Sequence, residues 1–123
     1  CEETMIEQKK RAIVVDDEPA ILEFLKIFLE ELGYNVDTYI TPILCPLYKD
    51  RDYVCDVLIT DFNMPHVNGL EFVRHLRKRG HRIGTIAVIS GLWDEEQIIE
   101  AERLGCKIFH KPFMPDDISN WLF

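Results

Sequence analysis

The sequence predicts an α/β fold, a doubly wound parallel sheet of five strands in the order 2-1-3-4-5 with helices on both faces. Three observations carry this expectation. Short apolar runs alternate with longer segments of helical period, five times along 123 residues, without a linker or low-complexity stretch. Runs such as Val57-Leu58-Ile59 and Ile86-Ala87-Val88-Ile89 are continuous rather than alternating, so both faces of each strand must be covered. Right-handed crossovers between such strands then wind helices onto each side of the sheet.

The first strand is Ala12 to Val15, and its polar continuation Asp16-Asp17-Glu18 leads into Pro19, a residue suited to the first turn of a helix. That helix runs to about Leu32, where Gly33 supplies a left-handed cap, and Asn35 to Tyr39 follows as strand two. Pro42 and Pro46 limit a second helix to a short or irregular piece. Val57 to Thr60 is a buried strand, and a helix from Asn68 or Gly69 reaches about Arg79 before Gly80 stops it. Thr85 to Ile89 is strand four. Asp94 caps a helix through Leu104, Gly105 ends it, Lys107 to His110 is strand five, and Pro115-Asp116 opens a last short helix.

Composition narrows the function classes. With 22 acidic and 14 basic residues the net charge is −8, which argues against direct binding to nucleic acid, where phosphate contacts need surplus positive charge. The basic run from Arg74 to Arg82 reads instead as the last turn of a helix facing its negative dipole end. No apolar stretch approaches the ~20 residues that span a bilayer, and the first ten residues lack the apolar block of a secretory signal. Cys1, Cys45, Cys55 and Cys106 form no metal-site spacing and read as reduced thiols in a cytoplasmic protein, with Cys55 and Cys106 as small core residues. His66, His75, His81 and His110 read as surface or strand residues. Residues 1–10 are an N-terminal extension and 11–123 one domain; the missing initiator Met and the short last helix point to an excerpt of a longer chain.

In the expected strand order the carboxyl ends of strands one and three border one crevice, where ligands of such sheets bind. Asp16 and Asp17 leave strand one there and Asp61 leaves strand three. Their repulsion would force a proton onto one of them unless a cation sits between, and a site built from carboxylate oxygens suits Mg²⁺. Ser90 closes strand four and Lys111 closes strand five.

Val14-Val15-Asp16-Asp17-Glu18-Pro19, then Thr60-Asp61-Phe62-Asn63-Met64-Pro65 with Gly69, then Ser90-Gly91, then Lys111-Pro112-Phe113 resemble, in order, the motifs of CheY-like receiver domains of two-component response regulators. The resemblance covers residues 11–123 and implies a flavodoxin-like (βα)5 fold in a phosphorelay. It implies that Asp61 is the phosphoacceptor, forming a 4-aspartylphosphate with a phosphohistidine as donor. Asp17, Asp61 and the backbone carbonyl of Asn63 would ligate Mg²⁺, with Asp16 acting through a water. Lys111 and the metal would neutralise the phosphoryl oxygens. The Ser90 hydroxyl would move to the phosphoryl group, with Gly91 letting the backbone approach closely. Met64, Pro65 and Gly69 would shape the loop after Asp61, and Pro112 resembles the family's cis-proline. The implied partners are a histidine kinase or histidine phosphotransfer domain, an output domain or partner, and a second copy through the face of helix four, strand five and helix five. The chain would assist only its own phosphorylation and dephosphorylation, so it is not an enzyme.

Where many family members carry a Tyr or Phe three residues before the lysine, this chain has Ile108, and Phe109 should face the other side of the strand. On the first helix Phe24 and Ile27 fall off the apolar stripe. In the family this sequence resembles, that helix and the loop after the lysine receive the phosphohistidine domain, which makes Ile21, Phe24, Pro112 and Phe113 candidate contacts for the kinase. Leu92, two residues after Ser90, is expected to restrict water near an aspartyl phosphate. Two rival readings stand beside the receiver: a phosphorylation-independent interaction module, and a Mg²⁺-dependent phosphatase of the haloacid dehalogenase type. The latter needs Asp-x-Asp on its first strand, which this chain lacks.

Overall fold

The computed structural model describes residues 9–123. Residues 1–8, most of the expected N-terminal extension and with it Cys1, lie outside the described residues. The strands are β1 (Arg11–Val15), β2 (Asn35–Tyr39), β3 (Cys55–Asp61), β4 (Ile83–Ser90) and β5 (Lys107–His110). They form one parallel sheet in the order β2-β1-β3-β4-β5. The helices are α1 (Pro19–Glu31), α2 (Pro46–Lys49), α3 (Gly69–Lys78), α4 (Glu95–Arg103) and α5 (Pro115–Leu122).

Successive strand residues point to opposite faces, and each face has its own core. Ala12, Val14, Val57, Ile59, Ala87, Ile89 and Phe109 pack with Leu22, Leu25, Leu29 and Ile118 from α1 and α5. Ile13, Val15, Leu58, Ile86 and Val88 pack on the other side with Leu47 of α2, Phe72 and Leu76 of α3 and Ala101 of α4. The split explains the continuous apolar runs: no strand position in the middle of the sheet meets water.

The helix ends follow local chemistry. Pro19 opens α1, and Gly33 at φ 101° closes it, with the Tyr34 N–H donating back to the Leu29 carbonyl at 3.1 Å. Asn68 and Glu71 cap α3 reciprocally, the two bonds being 2.8 and 2.9 Å, and Asp94 and Gln97 do the same for α4. The two prolines reduce the second crossover to a 3₁₀ turn, Pro42–Leu44, and one turn of α2.

The basic run after Arg74 ties helices together. The Arg74 guanidinium pairs with Glu100 of α4, Arg77 Nε donates to the Leu104 carbonyl, and Arg79 donates to the carbonyls of Tyr48 and Lys49. Two expectations need correction. His81 is 5% exposed, buried because Nε2 donates to the Asp50 carbonyl at 2.9 Å. Among the cysteines, Cys45 at 1% exposure joins Cys55 in the core, whereas Cys106, next to the turn at Gly105, is only half-buried. Burial pushes the thiols of Cys45 and Cys55 up to about 11 and about 12.

Candidate functional site

Strand register assembles the crevice. β1 lies between β2 and β3, so the carboxyl ends of β1 and β3 flank a point where the strand order reverses. Val15 is paired with Thr60, which sets the next residues, Asp16 and Asp61, level with each other. Asp61 is paired with Ile89, and Ser90 with His110 on β5. Lys111 follows, its N–H donating to the Ser90 carbonyl at 2.9 Å. Its ammonium reaches back over the crevice, 3.2 Å from Asp61 Oδ1, 3.6 Å from Asp16 Oδ2 and 3.2 Å from Glu18 Oε1. Of the three, Glu18 receives the aligned hydrogen bond.

Asp16 and Asp61 are 1% and 3% exposed. Burial disfavours their charged forms and dominates both shifts. It lifts Asp16 to about 6, although the Glu18 N–H donates to Asp16 Oδ1 at 2.9 Å and stabilises the anion. Asp61 is raised as well, first by burial and then by the Asp17 charge, against the pull of Lys111 and the Asn63 N–H. Burial alone would lower Lys111, but Asp16 and Asp61 together outweigh it and hold the ammonium charged.

One ammonium therefore faces three carboxylates, with that of Asp17 beside them. Asp61 Oδ1 is buried without an aligned hydrogen-bond donor, even beside Lys111. Carboxylate oxygens of Asp16, Asp17 and Glu18 lie within 4.8 Å of one another. An all-oxygen donor set with excess negative charge fits a hard divalent cation. With Asp61 Oδ1 facing the Lys111 ammonium, the acids in mutual reach among the described residues are Asp16, Asp17 and Glu18, and Asn63 is exposed.

The comparisons with known proteins agree with this layout. The family model described as response regulator receiver domain matches residues 12–122. The chain belongs to the receiver domain family. The chemotaxis protein CheY of Thermotoga maritima is 29% identical over 110 residues, which cover 89% of this chain and 91% of that one. The response regulator protein TodT of Pseudomonas putida is 30% identical over 122 residues, covering 96% of this chain but 53% of TodT. CheY4 of Vibrio cholerae, a solved structure, superposes with a TM-score of 0.81 at 27% identity, covering 94% of this chain and 97% of that one. The chain thus spans about half the length of TodT and of the response regulator protein TmoT of Ectopseudomonas mendocina.

In this receiver domain the loop after Asp61 is held by backbone contacts. The Gly69 N–H donates to the Phe62 carbonyl at 2.9 Å, and a Cβ on Gly69 would stand 2.5 Å from the Asp61 carbonyl oxygen. Only glycine lets α3 start this close to the end of β3. Pro65 is exposed and its carbonyl accepts from the Val67 N–H at 2.8 Å. The Lys111-Pro112 peptide bond is cis, as the resemblance implied. A Cβ on Gly91 would meet no protein atom within 4 Å.

Ile21, Phe24 and Phe113 do come together. With Glu18, Lys111 and Pro112 they line a mostly apolar hollow of about 440 Å³, where the Phe24 and Phe113 rings stand 6.3 Å apart. Glu18 and Lys111 belong to both the hollow and the acidic site. A larger hollow, about 590 Å³ and lined by Lys9, Arg11, His81 and Arg82, lies elsewhere and shares none of these residues.

Ile108 and Phe109 point to opposite faces, Phe109 packing edge-on against Trp121 at 5.7 Å. Two residues escaped the sequence reading. Glu18 holds the lysine, and its signal was its place beside the acid pair. Trp93 packs on Phe62 at 5.6 Å and donates its indole N–H to the Phe109 carbonyl at 3.0 Å.

Proposed function

We propose that this receiver domain accepts a phosphoryl group on Asp61 from a histidine kinase or histidine phosphotransfer protein, with Mg²⁺, and thereby changes its affinity for a partner. The observation that carries the reading is the buried Asp61 Oδ1, free of any aligned donor and 3.2 Å from the Lys111 ammonium. An Asp61 oxygen attacks phosphorus as the phosphorus–nitrogen bond of phosphohistidine breaks. The bonding pair stays on the imidazole nitrogen, which takes up a proton. A carboxylate needs no general base for this, and the transfer depends on position and charge. Lys111 supports charge on the transferred group from the β5 side. Asp16, Asp17 and Asp61, with the carbonyl of Asn63, would hold Mg²⁺, which when bound neutralises phosphoryl oxygens.

The chain acts on itself alone in this reading, as a cytoplasmic phosphoprotein rather than an enzyme. Its donor docks on the hollow of Ile21, Phe24 and Phe113, which opens directly onto Lys111. The output is a further domain or a separate partner, and a homodimer through α4, β5 and α5 is a further candidate. A direct nucleic-acid contact by this segment is not part of the reading. Ile108, in place of an aromatic on β5, is the feature that favours the second reading, a phosphorylation-independent interaction module.

Incubation with acetyl phosphate and Mg²⁺, followed by intact mass, separates the two. The receiver gains one phosphoryl group, and the gain disappears with chelator or in Asp61→Asn. An unchanged mass supports the interaction module.

A further inference from the structure

Ser90 is fully buried, and its hydroxyl is engaged with its own loop rather than with Asp61. Ser90 Oγ donates to the Leu92 carbonyl at 3.0 Å and accepts from the Leu92 N–H at 3.2 Å. A hydroxyl has one proton to donate. Serving a phosphoryl oxygen on Asp61, one residue short of Ser90 on the neighbouring strand, takes that proton from Leu92.

The segment so released carries Trp93. Its indole bridges two elements of the site, packing on Phe62, the residue after Asp61, and donating to the Phe109 carbonyl on β5 at 3.0 Å. Trp93 also packs in the same apolar cluster as Ile108. Leu92 beside it is 81% exposed, so no packing of its own side chain holds this part of the loop.

We infer that Trp93 is the aromatic group through which this chain's conformational response passes: the Ser90 proton leaves Leu92 for the phosphoryl group, and the indole lets go of the Phe109 carbonyl. Trp93 acts as a positioning residue through Ser90 and touches no reacting atom. The inference rests on the reading of Asp61 as phosphoacceptor, and the aromatic contact made from the β4–α4 loop stands where β5 offers only Ile108.

The test follows solvent exchange of the indole N–H by NMR in the ¹⁵N-labelled chain held in acetyl phosphate and Mg²⁺, with intact mass taken from the same sample. Two indole signals are expected, Trp93 and Trp121, assigned with Trp121→Phe. On phosphorylation the Trp93 signal shifts and its exchange quickens roughly tenfold, the loss of one hydrogen bond, while Trp121 keeps its rate. In Ser90→Ala, which cannot hold Leu92, the Trp93 indole exchanges fast already and responds no further. Full phosphorylation with unchanged Trp93 exchange would overturn this inference and leave Asp61 as the acceptor. A Ser90→Ala chain that responds like the unaltered one would also overturn it. A chain that gains no phosphoryl group overturns both this inference and the reading beneath it.

Discussion

Asp16 is 1% exposed, and burial lifts its pKa to about 6. In an unfolded chain a carboxyl titrates near 3.9, so between about pH 4 and pH 6 the fold retains a proton that the unfolded chain has lost. Stability contributed by that proton is present in full below about pH 4 and disappears as pH rises through about 6. The expected outcome is a metal-free chain whose unfolding free energy, measured in urea, falls across this window by up to about 3 kcal/mol from Asp16. Asp16→Asn removes this contribution, and the difference between the two pH profiles measures it. The residue types and their order were legible in the sequence because each ends a strand: Asp16, Asp61, Ser90 and Lys111. Where their polar atoms point was not. The engagement of Ser90 with Leu92 and of Lys111 with Glu18 depends on rotamers chosen by neighbours distant in the chain.

Between β3 and α3 the chain turns with almost no free space. A Cβ on Gly69 would meet the Asp61 carbonyl oxygen at 2.5 Å and Phe62 Cα at 3.1 Å, both backbone atoms that cannot swing away. Gly69→Ala should therefore lower stability by about 1–3 kcal/mol in chemical denaturation and shift the Asp61 backbone signals. An unchanged denaturation midpoint would contradict the close approach. On the other side of the crevice, α1 presents Phe24 at 41% exposure against Phe113. Phe24→Asp is expected to slow phosphotransfer from a phosphohistidine donor by about tenfold while labelling by acetyl phosphate stays unchanged, since only the protein donor needs the hollow. Equal slowing with both donors would place the effect in the site itself. The exposed face of α1 was readable from helical period, as was the shortness of α2 from its prolines.

The whole molecule sets the context for both. Two apolar layers on one parallel sheet, built from alternate residues of the same strands, explain why a sheet covered on both faces was legible in the apolar runs. Loop conformations were less legible, and so was Trp93, whose bond to the Phe109 carbonyl depends on the meeting of a loop and a strand sixteen residues further on. The same chain carries a net charge of −8, sets three carboxylates around one ammonium with that of Asp17 beside them, and leaves their surplus negative charge for a cation. The central claim is that Asp61, and no other acid of that cluster, receives the phosphoryl group. Borohydride reduces an acyl phosphate to an alcohol, so reduction after acetyl phosphate treatment followed by peptide sequencing by mass marks the acceptor. The account predicts homoserine at position 61 and unaltered Asp16, Asp17 and Glu18. Reduction at any of those three instead, or at none of the four, would contradict it.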